Sequence, residues 1–306
     1  MRRVINIHLL PLIGAIAGDI IGSPYELKGH RIKRTDFPLF NRDSTFTDDT
    51  ILTLAVAQWI QNRNGNLVEI LHTLGNKYIN VGFGHAFKCW LRSKNPKPYN
   101  SWGNGAAMRV SSIGASCRYL NEVLDFAEQT ASITHNHPEG IKGAQATAHA
   151  IFMARNGAPV DTIRDTISRE YGYNLSLSVD EIRAKYSWDG IEGAGMHGAT
   201  CQGSVPQAIT CALEAVDFED AIRNAVSIGG DSDTIACITG SIAEAIFGSP
   251  QTMYVKALEY FPLHLQQVIA KFEEGRKKSI VLPSKGVEQA TSNTNKKIIK
   301  QRSIWQ

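Results

Sequence analysis

Two short segments of this chain concentrate carboxylate and hydroxyl side chains, and each stands directly before an apolar stretch. Their oxygen-bearing residues are Thr47, Asp48, Asp49 and Thr50 in the first segment, and Asp231, Ser232, Asp233 and Thr234 in the second. Carboxylate and hydroxyl oxygens are hard ligands, which select Mg²⁺, Mn²⁺ or Ca²⁺ over zinc. The pattern therefore indicates a divalent-cation site, provided that the fold brings the two segments together.

The same residues also have a purely structural interpretation, because Asp and Thr are favoured at the start of a helix and complement its dipole. Two arguments favour a metal site instead. The second segment follows Gly229 and Gly230, which can take positive φ and turn the next carboxylates toward a common point. Carboxylates that converge without a cation repel one another and raise their own pKa values. The sequence alone is compatible with both interpretations, a shared metal site and two independently capped helices.

Three further segments could border a substrate. Residues 18–26 combine a short polar turn with two carboxylates, and residues 102–109 form a glycine-rich loop that runs into a helix. Such a loop offers backbone N–H groups to phosphate, although neither a Walker lysine nor a G-x-G-x-x-G pattern accompanies it. His135 and His137 lack a third nitrogen ligand nearby, so a capped helix start is favoured over zinc. The histidine segment could instead donate a hydrogen bond to phosphate, and the sequence does not decide between the two roles.

Helices must position these segments, because apolar residues recur at helical spacing and alternating strand patterns are hard to find. The sequence predicts an all-α fold with helices at about 50–60, 67–78, 122–132, 141–155, 160–170, 205–215, 218–226 and 234–247. Small side chains in the helices at 141–155 and 234–247 predict close packing against neighbours. Residues 94–105 and 186–203 are rich in glycine and polar residues, so they are predicted to be loops.

The composition is that of a globular chain in a reducing compartment, which we expect to be the cytoplasm. The chain has 306 residues, is 43% hydrophobic and carries a net charge of +3, which demands neither a nucleic-acid nor a membrane partner. Five cysteines without C-x-x-C spacing argue against a zinc site and against a disulfide framework. The apolar stretch after Arg3 superficially resembles a signal peptide, but Pro11 and Asp19 interrupt it, which argues against that interpretation. We expect one domain over residues 1–284 and a polar, then basic, mobile tail over 285–306.

Four motifs, in this order, resemble the ADP-ribosylglycohydrolase family. They are G-D-I-I-G-S-P-Y-E, T-D-D-T, G-N-G-A-A-M-R and G-G-D-S-D-T, with T-H-N-H-P-E-G between the third and fourth, as in the family. The resemblance extends from about Ile13 to Leu282. It implies a compact, orthogonal all-α bundle around two Mg²⁺ or Mn²⁺ ions. It also implies hydrolysis of the bond between ADP-ribose and an acceptor on a modified protein, for which we favour arginine.

The resemblance also implies roles for individual residues. The implied metal ligands are Thr47, Asp48, Asp49, Asp231, Asp233 and Thr234. Glu26 corresponds to a mobile carboxylate near the metals and the scissile bond, and either Glu26 or Asp49 would act as the base. The residues implied to border the diphosphate and ribose, or to lie in the same motif, are Gly103, Asn104, Gly105, Met108 and His135.

Three other functions stay open. A non-catalytic binding protein on the same fold is disfavoured, because every implied metal ligand is present. An immunity protein that both reverses the modification and blocks an ADP-ribosylating toxin is motivated only by the basic tail. A metal-dependent phosphohydrolase would use similar carboxylates, but no phosphatase signature accompanies them. The acceptor linkage and the choice between Mg²⁺ and Mn²⁺ are not determined by the sequence.

Overall fold

The structure, a computed structural model, describes residues 12–27, 29–62 and 65–280. Its α-helices are α1 (Ile13–Gly22), α2 (Asp48–Gln61), α3 (Leu67–Lys77), α4 (His85–Arg92), α5 (Ser111–Ser116), α6 (Leu120–Ser132), α7 (Pro138–Arg155), α8 (Val160–Tyr171), α9 (Val179–Lys185), α10 (Cys201–Leu213), α11 (Phe218–Ser227), α12 (Ser232–Phe247), α13 (Gln251–Leu258) and α14 (Leu263–Ile280). Short 3₁₀ helices cover Ser23–Tyr25 and Asn104–Ala106. Strands β1 (Tyr186–Ser187) and β2 (Gly190–Ile191) pair antiparallel, with Tyr186 opposite Ile191.

Helices α1 and α12 pack with their backbones in contact. Glycine recurs at every fourth position of α1, which places Gly14, Gly18 and Gly22 on one face of the helix. A Cβ atom at Gly18 would lie 2.0 Å from the carbonyl oxygen of Ala236, and one at Gly14 would lie 2.2 Å from that of Gly240. No larger side chain fits at either position, so this contact fixes the spacing between the two helices.

Two helices that border the site, α2 and α7, begin with a side-chain cap supplied by the preceding residue. The Thr47 hydroxyl accepts a hydrogen bond from the Asp49 backbone N–H, 3.3 Å away, at the start of α2. At α7, Pro138 occupies the first turn and Nδ1 of His137 accepts from the Glu139 N–H at 3.1 Å. The histidine segment is therefore a capped helix start, as its sequence favoured.

The predicted all-α fold is confirmed, since helices dominate and the described sheet has two strands of two residues each. All eight predicted helices occur, with ends shifted by a few residues. The short polar turn predicted within residues 18–26 is confined to the end of that segment, because residues 18–22 belong to α1 and 23–25 form a 3₁₀ helix. Every residue of α1 is buried, so this helix has no polar face and shows no helical periodicity. The loop predicted at 186–203 contains the β1–β2 hairpin.

One unit of the structure extends to Phe272, and a second comprises the chain from Glu273 onward. The candidate signal peptide and the tail of residues 285–306 lie outside the described residues. Within the described ranges, no helix is both long enough and apolar enough to cross a membrane.

Candidate metal centre

The amino-terminal ends of α2 and α12 meet, so the two carboxylate segments form one cluster. The Thr234 hydroxyl donates to Oδ2 of Asp49 at 3.2 Å, which joins the two helix starts directly. Glu26, Asp231 and Asp233 each place one carboxylate oxygen within 4.8 Å of the others. The cluster lines a cavity of about 390 Å³ through Glu26, Asp48, Asp49, Asp231, Asp233 and Thr234. Thr47 caps α2 at its edge.

Asp19 anchors this cluster from α1 and is fully buried. Its carboxylate accepts four hydrogen bonds, from the backbone N–H of Thr47 (2.9 Å) and Thr50 (3.1 Å) and from their hydroxyls at 2.7 and 2.5 Å. The start of α2 is thus tied to α1. The sequence placed Asp19 only in a segment that could border a substrate, and its anchoring role was not predicted, although an acid inside an apolar stretch is a usable signal.

We expect Asp19→Asn to lower the free energy of unfolding by about 2–4 kcal/mol, because the new amide NH₂ faces donors rather than acceptors. The same change should weaken divalent-cation binding, since it frees the start of α2. Thermal unfolding and calorimetric titration with Mg²⁺ measure both effects. The control is Asp125→Asn on the exposed side of α6. An Asp19→Asn protein that melts and binds Mg²⁺ like the wild type would contradict the anchoring role.

Burial strongly disfavours negative charge on this cluster. Loss of hydration, reinforced by neighbouring carboxylates, raises the pKa of Asp48 to about 8 and that of Glu26 to about 7. The same causes raise the pKa values of Asp49 and Asp233 well above the usual carboxyl range. The metal-free cluster therefore retains protons near neutral pH, and a bound cation would displace them.

The residues present fit hard divalent cations. All the candidate ligand atoms are carboxylate or hydroxyl oxygens, the donor set that Mg²⁺ and Mn²⁺ prefer. Oδ2 of Asp49 accepts from Thr234, whereas Oδ1 is buried without a hydrogen-bond partner among the described residues. An unpartnered buried carboxylate oxygen is costly, so coordination would satisfy it.

A glycine-rich loop forms the opposite wall of the cavity. Asn104 donates from Nδ2 to Oδ2 of Asp231 at 2.7 Å, which couples this loop to the carboxylates. Gly103 and Gly105 lie against Nε2 of His135, since a Cβ at these positions would be 3.5 and 3.3 Å from that atom. Met108 lines the same wall. The structure thus places all five predicted substrate residues together and joins them to the carboxylate cluster.

A family model described as ADP-ribosylglycohydrolase matches residues 11–279 of this chain. The chain belongs to the ADP-ribosylglycohydrolase family. It is similar to ADP-ribosylhydrolase ARH3 of Homo sapiens, with 26% identity over 78% of this chain and 85% of that protein. It is 30% identical to ADP-ribosylhydrolase ARH3 of Danio rerio, over 78% and 81% of the two chains.

A solved structure described as an ADP-ribosylglycohydrolase-related protein complex has the same fold, with a TM-score of 0.63 and 22% identity. The match covers 90% of this chain and 98% of that chain. The family resemblance inferred from the four motifs is confirmed, and family membership makes this chain a glycosyl hydrolase.

This ADP-ribosylglycohydrolase also has cavity residues that sequence reasoning missed. Gly82 has φ +116°, and a Cβ there would lie 2.9 Å from Oδ1 of Asp48. His85 lines the cavity together with Tyr99 and Trp188. The Trp188 ring lies 4.6 Å from the Arg31 guanidinium. Gly82 and His85 lie next to the start of α4, whereas Tyr99 and Trp188 come from two other segments, so no local pattern in the sequence joins all of them.

Proposed function

We propose that this chain releases ADP-ribose from a modified protein side chain, using two Mg²⁺ or Mn²⁺ ions bound by the residues predicted above. The implied ligands are Thr47, Asp48, Asp49, Asp231, Asp233 and Thr234. The observation that carries this proposal is the convergence of both carboxylate segments with Glu26 at one cavity. The glycine loop and His135 on the facing wall suit a diphosphate and a ribose.

We assign a separate catalytic role to each group of residues in the cavity. Bound cations supply positive charge that offsets the carboxylates and orients the ribose hydroxyls. Glu26 serves as the base, because its half-buried carboxyl lines the cavity and is not among the implied metal ligands, so it can accept a proton from water. Asp49 is held by Thr234, which suits a fixed ligand better than a base. Neighbouring carboxylates stabilise positive charge that develops on the sugar.

The decisive test is release of free ADP-ribose from arginine- and serine-ADP-ribosylated proteins, with Mg²⁺ and with EDTA. We expect release from the arginine-linked substrate with Mg²⁺ and none with EDTA. Release from the serine-linked protein alone would reassign the acceptor while retaining the hydrolase. An absence of release from both substrates would contradict the proposal.

The remaining alternatives have less support. The immunity function rests on a basic tail that lies outside the described residues, and a non-catalytic role conflicts with the assembled carboxylate cluster. We further propose a reducing location such as the cytoplasm, because all five cysteines are free thiols and four of them are buried.

A further inference from the structure

Arg109 and Thr134 form a buried hydrogen-bonded chain behind the cavity wall. Both side chains are completely buried, and His135 is 6% exposed. Nη2 of Arg109 donates to the Thr134 hydroxyl oxygen at 2.9 Å and to the backbone carbonyl of Thr130. The same Thr134 oxygen lies 2.7 Å from Nδ1 of His135. These contacts join Arg109, the last residue of G-N-G-A-A-M-R, to the histidine segment.

The direction of these hydrogen bonds follows from the chemistry of the three groups. A guanidinium can only donate, so the Thr134 oxygen accepts from Arg109. The hydroxyl proton then needs an acceptor, and Nδ1 of His135 is the acceptor the structure provides within hydrogen-bond distance. Nδ1 therefore carries no proton, and the neutral imidazole carries its proton on Nε2.

His135 lines the ligand cavity, and its Nε2 atom lies on the side of the ring next to two other lining residues. It lies beside Gly103 and Gly105, whose lack of side chains leaves room for a ligand against the ring. Burial, together with the nearby Arg109 charge, lowers the pKa of His135 well below its usual range, so the ring stays neutral. The wall therefore offers a fixed N–H donor.

We propose that Arg109 and Thr134 are positioning residues that lock His135 as the Nε2–H tautomer, so that it donates a hydrogen bond to an oxygen of the bound ADP-ribose. The lock is a property of the protein alone, whereas the ligand assignment rests on the proposed function. Thr134 acts through His135 and does not itself line the cavity.

Thr134→Val tests the lock, because valine has nearly the same shape without the hydroxyl. Two-bond ¹H–¹⁵N spectra of histidine-labelled protein, with the His135 signal assigned by its loss in His135→Gln, report the tautomer directly. We expect Nε2–H in the wild type and a mixture of tautomers in Thr134→Val. Calorimetry with free ADP-ribose and Mg²⁺ should show affinity falling about tenfold, the effect of one lost hydrogen bond.

Two variants separate this role from simple packing. Thr134→Ser keeps the hydroxyl and should restore the tautomer and most of the affinity. Thr239→Val removes another fully buried hydroxyl, which donates to the Ala208 carbonyl outside this network, and it should leave both readouts unchanged. Mg²⁺ binding should be unchanged in Thr134→Val.

Three results would overturn the proposal: an Nδ1–H tautomer in the wild type, an unchanged tautomer in Thr134→Val, or a changed tautomer with unchanged affinity. If the wild type does not bind ADP-ribose at all, the ligand assignment fails together with the proposed function. The spectra then still decide whether Thr134 sets the tautomer, because they need no ligand.

Discussion

Asp233→Ala is expected to abolish divalent-cation binding and to reduce ADP-ribose release by roughly a thousandfold or more, about 4 kcal/mol of transition-state stabilisation. Asp233 is 4% exposed, and its carboxylate lies within 4.8 Å of those of Glu26 and Asp231. Alanine carries no oxygen that could replace this carboxylate at the first turn of α12. Calorimetry with Mn²⁺ or Mg²⁺ and the release assay measure the two losses.

The same variant distinguishes a lost ligand from a lost fold. Burial and the carboxylates around it raise the pKa of Asp233 well above its usual range, so alanine removes an unfavourable buried acid. Metal-free Asp233→Ala should therefore melt at or above the temperature of the metal-free wild type at pH 8. Asp161→Asn, at an exposed position in the first turn of α8, is the control. Retained activity in Asp233→Ala would refute the assigned site.

Metal removal is expected to make stability depend on pH. In the metal-free protein, burial raises the pKa of Asp48 to about 8 and that of Glu26 to about 7, so the folded state binds more protons than the unfolded chain. A raised carboxyl pKa stabilises the fold at low pH, and this stability is lost as the pH rises through the folded-state value. We expect the melting temperature in EDTA to fall by roughly 10 °C between pH 5 and pH 8.

Added Mg²⁺ should reverse this trend, because cation binding releases the retained protons and is favoured at higher pH. Melting curves with EDTA and with saturating Mg²⁺, recorded at matched ionic strength, should therefore converge near pH 5 and separate toward pH 8. Parallel curves at all pH values would show that the carboxylates are not the cation site.

Much of the candidate site could be predicted because its signals are local. An Asp or Thr directly before an apolar helix indicates where that helix begins, and α2 and α12 begin there. Gly229 and Gly230 have φ values of +76° and +82°, the positive φ expected from their type. The sequence could therefore predict which residues lie at the two helix starts.

Other parts of the site depend on contacts that no local pattern contains. The anchoring role of Asp19 needs α1 to lie beside α2, and α1 is buried on all sides, so its sequence lacks the alternation of apolar and polar faces that predicts a helix. Tyr99 and Trp188 reach the cavity from loops that are far apart in the chain. Their positions follow from tertiary packing, which a single sequence does not show.

The pairing of α1 with α12 also sets the earliest moment at which the protein can become active during synthesis. The Gly14 backbone N–H donates to Oε2 of Glu244 at 2.8 Å, across a sequence separation of 230 residues. A ribosome that adds 5–20 residues per second needs roughly 12 to 46 seconds to pass from one partner to the other. During that interval helix α1 has no α12 to pack against, so the buried face that these two helices share forms only after residue 244 has been made.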